Sequence, residues 1–246
     1  MRISFISFIL AVLSFQAFAQ NKRVLNNPNY DRKPVRFGFT VGFNTMDFTV
    51  RNSDNFLAKL DTVNGYVIND IYSIENNSMA GFHLGPISNF RLGEYFDFRS
   101  MIDLSFGQRN MEYILTQDTI YGESPLYKHI MKIESVFLEF PNQIKYKSKR
   151  LNNFRPYILG GINPKIDLAA RKKIKEEEMP KIRLKNFDLC YELGFGIDYY
   201  FPYFKFSTEI KLSVGMFDIL KHDDTQYTTA IDRLNSKMVM ISFHFQ

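Results

Sequence analysis

The sequence contains a single cysteine, Cys190, among 246 residues, and it has no tryptophan. A single cysteine excludes an intrachain disulfide, and with it the small disulfide-rich secreted scaffolds. Long apolar runs are also missing after the N-terminus, because Gly, Asn, Asp, Lys or Glu interrupts them every second or third residue. A spanning helix needs about 20 consecutive apolar residues, so any membrane insertion of this part has to use strands.

Excess charge of one sign is absent as well. The chain has 31 Lys and Arg against 26 Asp and Glu, a net charge of +5, and the two signs are interspersed. A nucleic-acid-binding domain concentrates basic residues in a patch or stripe. The composition therefore does not indicate nucleic acid as a partner.

The first residues predict a secretory signal peptide. Arg2 precedes an apolar run that ends in Ala17-Phe18-Ala19, a small-x-small cleavage site. The alternative, a retained anchor helix, is disfavoured because the run is shorter than the ~20 residues that span a bilayer. We expect a signal peptide over 1–19, a periplasmic N-terminal extension over 20–34 and one domain over 35–246, with no lipid attached at the cut because no cysteine follows it.

The rest of the chain is rich in aromatic residues that recur at alternate positions, with 25 Phe and 14 Tyr in total. From Val35 to Phe43, bulky apolar residues alternate with small or polar ones, and a period of two is typical of a strand with one apolar face. Eight such segments are predicted, starting near Val35, Ala80, Phe96, Glu134, Phe154, Asp188, Phe204 and Val239. The fifth is the weakest, since Pro156 and Pro164 lie inside it.

Alternation alone also fits a soluble sandwich, so the connections decide between the two. Three links are short (93–95, 148–153 and 201–202) and four are long and polar (46–78, 110–129, 170–186 and 217–235). Outer-membrane barrels have short periplasmic turns and long outer loops. The predicted fold is an all-β, eight-stranded antiparallel transmembrane β-barrel in the outer membrane, with both termini periplasmic.

Aromatic side chains gather at one end of the predicted strands, which a sandwich does not require but a membrane-interface girdle does. The expected periplasmic belt is Tyr95, Phe96, Tyr146, Tyr199, Tyr200, Tyr203, Phe204, Phe243 and Phe245.

An eight-stranded barrel is only wide enough for side chains to fill it, so a channel is not expected. The charges predicted inside are Arg91, Asp97, Arg99, Asp103, Glu192, Asp198, Lys205 and Lys211. A turn at Phe201-Pro202 would set Asp198 opposite Lys205 and Glu192 opposite Lys211, and a turn at 93–95 would set Arg91 opposite Asp97. Acid/base chemistry is the alternative, but buried charge needs a partner simply to be tolerated, so we interpret these residues as structural.

No catalytic, metal or cofactor site is predicted, and the protein is not expected to be an enzyme. His83 is placed near the outer rim, His244 near the periplasmic end, and His129 and His222 in different outer loops, so the four histidines do not have ligand spacing. Cys190 is interpreted as a small filler residue beside Glu192.

The loop from Arg171 to Lys185 is a dense block of charge. Its basic residues Arg171, Lys172, Lys173 and Lys175 could dock a partner or lipopolysaccharide, or form an ordinary solvated loop.

Several short motifs occur in one order along the chain. They include 27–31 (NPNYD), 81–85 (GFHLG), 106–110 (FGQRN), 155–157 (RPY) and 194–198 (GFGID). Together they resemble the PorT-like outer-membrane barrels of Bacteroidetes, over nearly the whole mature chain. One departure is Asn142-Gln143, which stands where that family pattern has an apolar pair.

The resemblance implies a part in the type IX protein secretion system, which exports proteins with a C-terminal sorting domain and supports gliding motility. It implies no catalytic motif, so the expected role is an accessory barrel that docks to or assembles the translocon. The expected partners are outer-membrane lipid, lipopolysaccharide and other secretion components. Two alternatives remain: an adhesin or lipopolysaccharide-binding barrel, and a lipid-modifying enzyme.

Overall fold

The computed structural model describes residues 24–53, 62–63, 66–67, 70–116, 126–171, 182–223 and 226–246. The predicted signal peptide and the basic residues 172, 173 and 175 lie outside this part of the chain, as does the side chain of Arg171. Within the described residues, no helix is long and apolar enough to cross a membrane.

Twelve strands make up the described structure. Their bounds are β1 Val35–Asn52, β2 Thr62–Val63, β3 Tyr66–Val67, β4 Asp70–Arg91, β5 Phe96–Met101, β6 Asp103–Thr116, β7 Leu126–Glu139, β8 Asn142–Lys147, β9 Phe154–Asp167, β10 Phe187–Tyr200, β11 Lys205–Gly215 and β12 Ile231–Phe245. Short 3₁₀ turns lie at Tyr30–Arg32 and Ala169–Arg171, and one helical turn lies at Gln226–Thr229. β2 and β3 pair only with each other.

The other ten strands form eight barrel strands. β5 continues into β6 around Ile102, and β7 continues into β8 around Phe140-Pro141, so each pair acts as one interrupted strand. Every neighbour is antiparallel, and β1 pairs with both β4 and β12: Phe39 lies between Pro86 and Phe245. This pairing closes the sheet on itself, which leaves no open edge. The predicted eight-stranded antiparallel barrel is confirmed.

Side chains alternate between the two faces of the closed sheet, as a period of two requires. On β1, Phe37 is 71% exposed and Phe43 is 65% exposed, whereas Thr40 and Asn44, at the alternate positions, are each 2% exposed. The outer face is therefore apolar while the interior is polar, the reverse of a soluble protein. The Asn142-Gln143 pair follows the same alternation, since Gln143 is buried and Asn142 faces outward.

The short connections lie at the three predicted places, over 92–95, 148–153 and 201–204, but the last is two residues longer than the predicted 201–202. Three of the four long connections are shorter than predicted, because strand structure continues over 46–52, 70–78, 110–116, 126–129 and 231–235. The third, over 168–186, is as long as predicted. In these extensions the pattern inverts: Met111, Tyr113 and Leu115 point inward and are buried, while Glu75 faces outward and is exposed. A sequence search for strands with apolar outward residues therefore misses these extensions.

Candidate functional site

The interior of the barrel is the candidate site, because the predicted charged residues converge there. Seven of the eight lie inside with at most 1% of their surface exposed: Asp97, Arg99, Asp103, Glu192, Asp198, Lys205 and Lys211. Further charged residues that the sequence reading did not single out share the space, among them Arg36, Lys145, Lys147, Lys165 and Glu209. The signal that could have found them was their position in the same inward phase of strands already recognised.

Arg91 is the exception, and its predicted place inside the barrel is wrong. It is paired with Asp97 in the strand register as predicted, but its side chain is exposed at the rim and donates to the carbonyl oxygens of Gly93 and Arg32. Asp97 instead meets Arg36 at 2.7 Å and Lys147 at 2.7 Å. Arg91 reaches the end of the ladder, where water is available and no buried anion is needed.

The predicted register of the β10–β11 hairpin is wrong by two residues. The link spans four residues, 201–204, so Tyr200 lies opposite Lys205, Asp198 opposite Ser207, and Glu192 opposite Ser213. The predicted ion pairs survive only as diagonal contacts, at 3.9 Å for Lys205 with Asp198 and 3.3 Å for Lys211 with Glu192. A turn length read from sequence fixes register only when the turn residues are known.

The nearest partners of these carboxylates come from other strands. Lys145 on β8 donates to both oxygens of Asp198 at 2.8 Å, and Ser207 donates to Asp198 at 2.6 Å. Asn163 on β9 donates to Glu192 at 2.9 Å, and Gln143 on β8 also donates to it. The charges are thus held by hydrogen bonds from several sides, which is what makes a buried ion tolerable.

Glu209 on β11 anchors a further set of contacts in the interior. Arg99 on β5 donates to it at 2.5 Å, Tyr157 on β9 donates to it at 2.7 Å, and His244 on β12 lies 3.3 Å away. Four separate barrel strands thus meet at one carboxylate. Because β5 and β11 are four strands apart in an eight-strand ring, the Arg99 to Glu209 contact crosses the whole interior.

One interior contact resembles the start of a catalytic arrangement. Nε2 of His83 lies 2.9 Å from Oγ of Ser242, but Nδ1 of His83 has no hydrogen-bond partner among the described residues. Both residues are at most 2% exposed, so the pair has no open path to a substrate. His83 was predicted near the outer rim, which is wrong: β4 extends well past it, to Asp70, and His83 lies deep in the barrel.

Among the residues that the structure describes, no group of three or more His, Cys, Asp or Glu side chains is arranged to hold a metal ion. His129 lies on β7, with its ring 5.8 Å from that of Tyr227, and His222 lies 3.3 Å from Asp218. Cys190 is fully buried against Asp188 and Ser236, as a filler residue would be.

The end with the short turns is closed by the segment before β1. Asp31 accepts hydrogen bonds from Arg36 at 3.3 Å, Arg155 at 3.1 Å and the hydroxyl of Tyr200 at 2.7 Å. Asn26 donates to the carbonyl oxygen of Tyr200 at 3.0 Å. Tyr200 is 2% exposed, so it belongs to this closure, and the prediction that it joins the lipid-facing aromatic belt at the short-turn end is wrong.

The end with the long loops is closed by apolar residues. Side chains from the loops, Ile182, Leu184, Ile219 and Leu220, pack on inward residues of the strand extensions in one buried cluster. The inward residues of that cluster include Phe48, Met111, Tyr113, Leu115, Met131 and Leu234. Both ends of the interior are therefore covered.

Asp218 fastens this closure at the long-loop end to the barrel. Its Oδ1 accepts from the backbone amides of Leu234 at 2.9 Å and Leu220 at 3.2 Å, and Lys185 lies 3.6 Å from the other oxygen. Partial burial by itself would raise the pKa of the Asp218 carboxyl, but these donors outweigh it and hold the pKa below its usual value.

A closed sheet with an apolar exterior and a polar filled interior is the arrangement of a barrel that crosses a membrane. Residues 18–221 match the outer membrane protein beta-barrel domain family. The chain belongs to that family. It is accordingly an outer-membrane barrel whose apolar outer face meets lipid, and its exposed Phe96, Tyr146, Tyr199 and Phe204 form an aromatic belt at the short-turn end.

Solved outer-membrane barrels are similar at low identity. OprG from Pseudomonas aeruginosa is 11% identical, with a TM-score of 0.41, over 85% of this chain and 94% of that chain. Neisserial surface protein A is 7% identical, with a TM-score of 0.42, over 86% and 98%. Ail of Yersinia pestis, in complex with the heparin analogue sucrose octasulfate, is 11% identical, with a TM-score of 0.37, over 87% and 99%. No curated protein matches the chain in sequence.

Proposed function

We propose that this outer-membrane barrel is an accessory, non-catalytic component of the type IX secretion system, which docks to or assembles the translocon and does not itself conduct protein. The ordered motifs that resemble PorT-like barrels support the choice of system. Both chain ends are proposed to lie in the periplasm, which places the closure around Asp31 on that side.

The filled interior is the observation that supports the proposal that the barrel does not conduct protein. Arg99 and Glu209 meet across the barrel, Lys145 on β8 reaches past β9 to Asp198 on β10, and all four are at most 1% exposed. A polypeptide could enter only if these buried pairs separated, which would leave charges without their partners inside the barrel. Function therefore falls to the outer wall and the long loops, where Arg171, Lys172, Lys173 and Lys175 are proposed contacts for a partner or lipopolysaccharide.

A clean deletion of the gene in its own bacterium tests the proposal. We expect cargo with a sorting domain to accumulate in the periplasm, with surface lipid acylation unchanged and secretion restored by the wild-type gene. Secretion that continues normally after deletion would reject the proposal and favour an adhesin or lipopolysaccharide-binding barrel. Altered acylation with intact secretion would favour a lipid-modifying enzyme.

A further inference from the structure

Exposed basic side chains surround the long-loop end of strands β10, β11 and β12. Beyond their bounds, β10 and β11 stay paired at Leu184 and Leu220, which are buried. Neighbouring residues on these two segments are exposed and basic, and so are two outward residues of β12. We call the five residues the basic rim: Arg183, Lys185, Lys221, Arg233 and Lys237.

The basic rim borders directly on the surface that meets acyl chains. On β12 the outward Val239 is 40% exposed, and the next outward residue toward the long loops is Lys237. On β10 the outward Phe187 is 50% exposed, and the next outward residue is Lys185. Lys237 lies eight residues from Phe245 at the short-turn end, which is roughly 21 Å of height at ~3.4 Å per residue and a tilt of about 40°. Because the apolar band of such barrels is about 25 Å tall, Lys237 lies near its far edge.

Apolar side chains lie between the basic residues of β10 and those of β12. Met216 and Phe217, just beyond β11, are 46% and 48% exposed. On one side Nζ of Lys185 donates to the carbonyl oxygen of Asp218 at 2.9 Å, and on the other side Arg233 donates to the carbonyl oxygen of Met216. Cations thus flank an apolar surface, and this arrangement fits a molecule that has both acyl chains and acidic groups.

The protein neutralises only part of the basic rim. Arg183 pairs with Asp223 at 2.6 Å, and Lys185 lies 3.6 Å from Asp218. Among the described residues, the other three members of the rim form no ion pair: Lys221, Arg233 and Lys237.

The strand register does not supply the missing partners. Arg233 lies directly opposite Arg51 of β1, and like charges in that position repel each other. Arg51 is itself paired with Asp232 at 3.4 Å. Asp47 lies opposite Lys237, but its carboxylate accepts a hydrogen bond from its neighbour's backbone amide at 2.8 Å. An anion from outside the chain would therefore relieve uncompensated positive charge.

The opposite wall has the reverse balance of charge. Strands β4, β6 and β7 lie across the ring from β10, β11 and β12. Their outward residues at the long-loop end include three carboxylates and two lysines: Glu75, Glu112, Glu134, Lys128 and Lys132. Within the described part of this end, the excess of positive charge therefore lies on one side of the barrel.

We propose that the basic rim and the apolar wall beside it bind lipopolysaccharide, with the acyl chains along β10 to β12 and the acidic groups at the rim. Basic clusters at a membrane surface attract anionic lipids. The basic residues of β10 and β12 are two strand spacings apart, about 10 Å, so a single phosphodiester does not reach both. Lipopolysaccharide carries several acidic groups close to its acyl chains. The inference rests on the proposed orientation, with the long loops outside, and not on the part in secretion.

Native mass spectrometry of the full chain in detergent, titrated with deep-rough lipopolysaccharide, tests the site. The rim variant is Arg233→Gln with Lys237→Gln. The control variant is Lys128→Gln with Lys132→Gln, two exposed outward lysines that are also four residues apart, on the strand across the ring from β12. Both variants lose two positive charges, and heat-dependent gel mobility shows that each is folded.

We expect the control variant to bind lipopolysaccharide as wild type does and the rim variant to bind roughly 30-fold more weakly, since each basic residue at a membrane surface contributes about fivefold. Phosphatidylglycerol, with one phosphate, should bind wild type more weakly than lipopolysaccharide. Equal loss in both variants, no loss in the rim variant, or equal affinity of wild type for the two lipids would overturn the site.

A photoreactive residue in native membranes identifies the occupant. Thr49 is exposed on β1 and lies opposite Asn235, midway between Arg233 and Lys237. Thr49→p-benzoylphenylalanine should yield an adduct that an antibody to lipopolysaccharide detects. An adduct with a protein in its place would overturn the choice of occupant. Binding by purified protein without any adduct in membranes would overturn the inference through the proposed orientation, and neither result bears on secretion, which the gene deletion tests separately.

Discussion

Replacement of Glu209 by alanine is the sharpest perturbation of the interior. The change removes the acceptor of Arg99 and of the Tyr157 hydroxyl, and leaves the Arg99 guanidinium, which is 0% exposed, without its carboxylate. Breaking a buried pair by removal of one partner costs about 3–5 kcal/mol. With a urea slope of about 2 kcal/mol per molar, the unfolding midpoint should fall by about 2 M.

The assay is equilibrium urea unfolding of the protein in lipid vesicles, followed by the shift in gel mobility of unboiled samples. Glu75→Ala is the matched control, because Glu75 is exposed on the outer face of a strand extension, where no change is expected. The double variant Arg99→Met with Glu209→Leu should recover most of the loss, since it leaves no unpaired buried charge. A midpoint for Glu209→Ala equal to wild type would refute the account of the interior.

Three further outcomes are expected. Asp31→Ala removes the shared acceptor of Arg36, Arg155 and Tyr200, so protease should cut the segment before β1 while the barrel stays folded; equal resistance in variant and wild type would contradict this. The low pKa of Asp218 implies stabilisation that is present above the ordinary aspartate pKa of about 3.9 and lost as pH falls through the lower folded value. Near pH 7 the amides of Leu220 and Leu234 should therefore exchange hydrogen faster in Asp218→Asn than in wild type, and at strongly acidic pH the two proteins should exchange equally. Protection that persists at acidic pH in wild type alone would count against this prediction. A Cβ on Gly42 would lie 2.2 Å from the carbonyl oxygen of Ile241, whereas one on Gly160 meets nothing closer than 3.4 Å, so Gly42→Ala should fold poorly and Gly160→Ala normally, as judged by gel mobility.

The sequence was informative where one local rule governs a residue. A period of two assigns inward and outward residues on every strand, because lipid and a filled interior impose opposite demands on the two faces. That rule placed Asp97, Arg99 and Asp198 inside without any knowledge of their partners. It failed beyond the belt, at Met111 and Tyr113, because water replaces lipid outside and the demands reverse.

Contacts between distant parts of the chain could not be read in this way. Arg99 and Glu209 are 110 residues apart, and Tyr200 and Asp31 are 169 apart, so only the closed ring brings them together. The diagonal contacts of Asp198 and Glu192 were not predicted because the link after Tyr200 has four residues and not the two that were assumed for the turn. Asn142, which stands where the family pattern has an apolar residue, still faces outward and accepts a hydrogen bond from Ser100 on the neighbouring strand.

The barrel is closed and its interior is filled by paired charges. Single-channel recording tests it most directly, with the full chain inserted in planar lipid bilayers and insertion verified by heat-dependent gel mobility of the same sample. The account predicts a flat baseline without conductance steps at moderate voltage. Regular stepwise openings of uniform size would contradict it, since the Arg99 to Glu209 contact crosses the whole interior and leaves no open aqueous path.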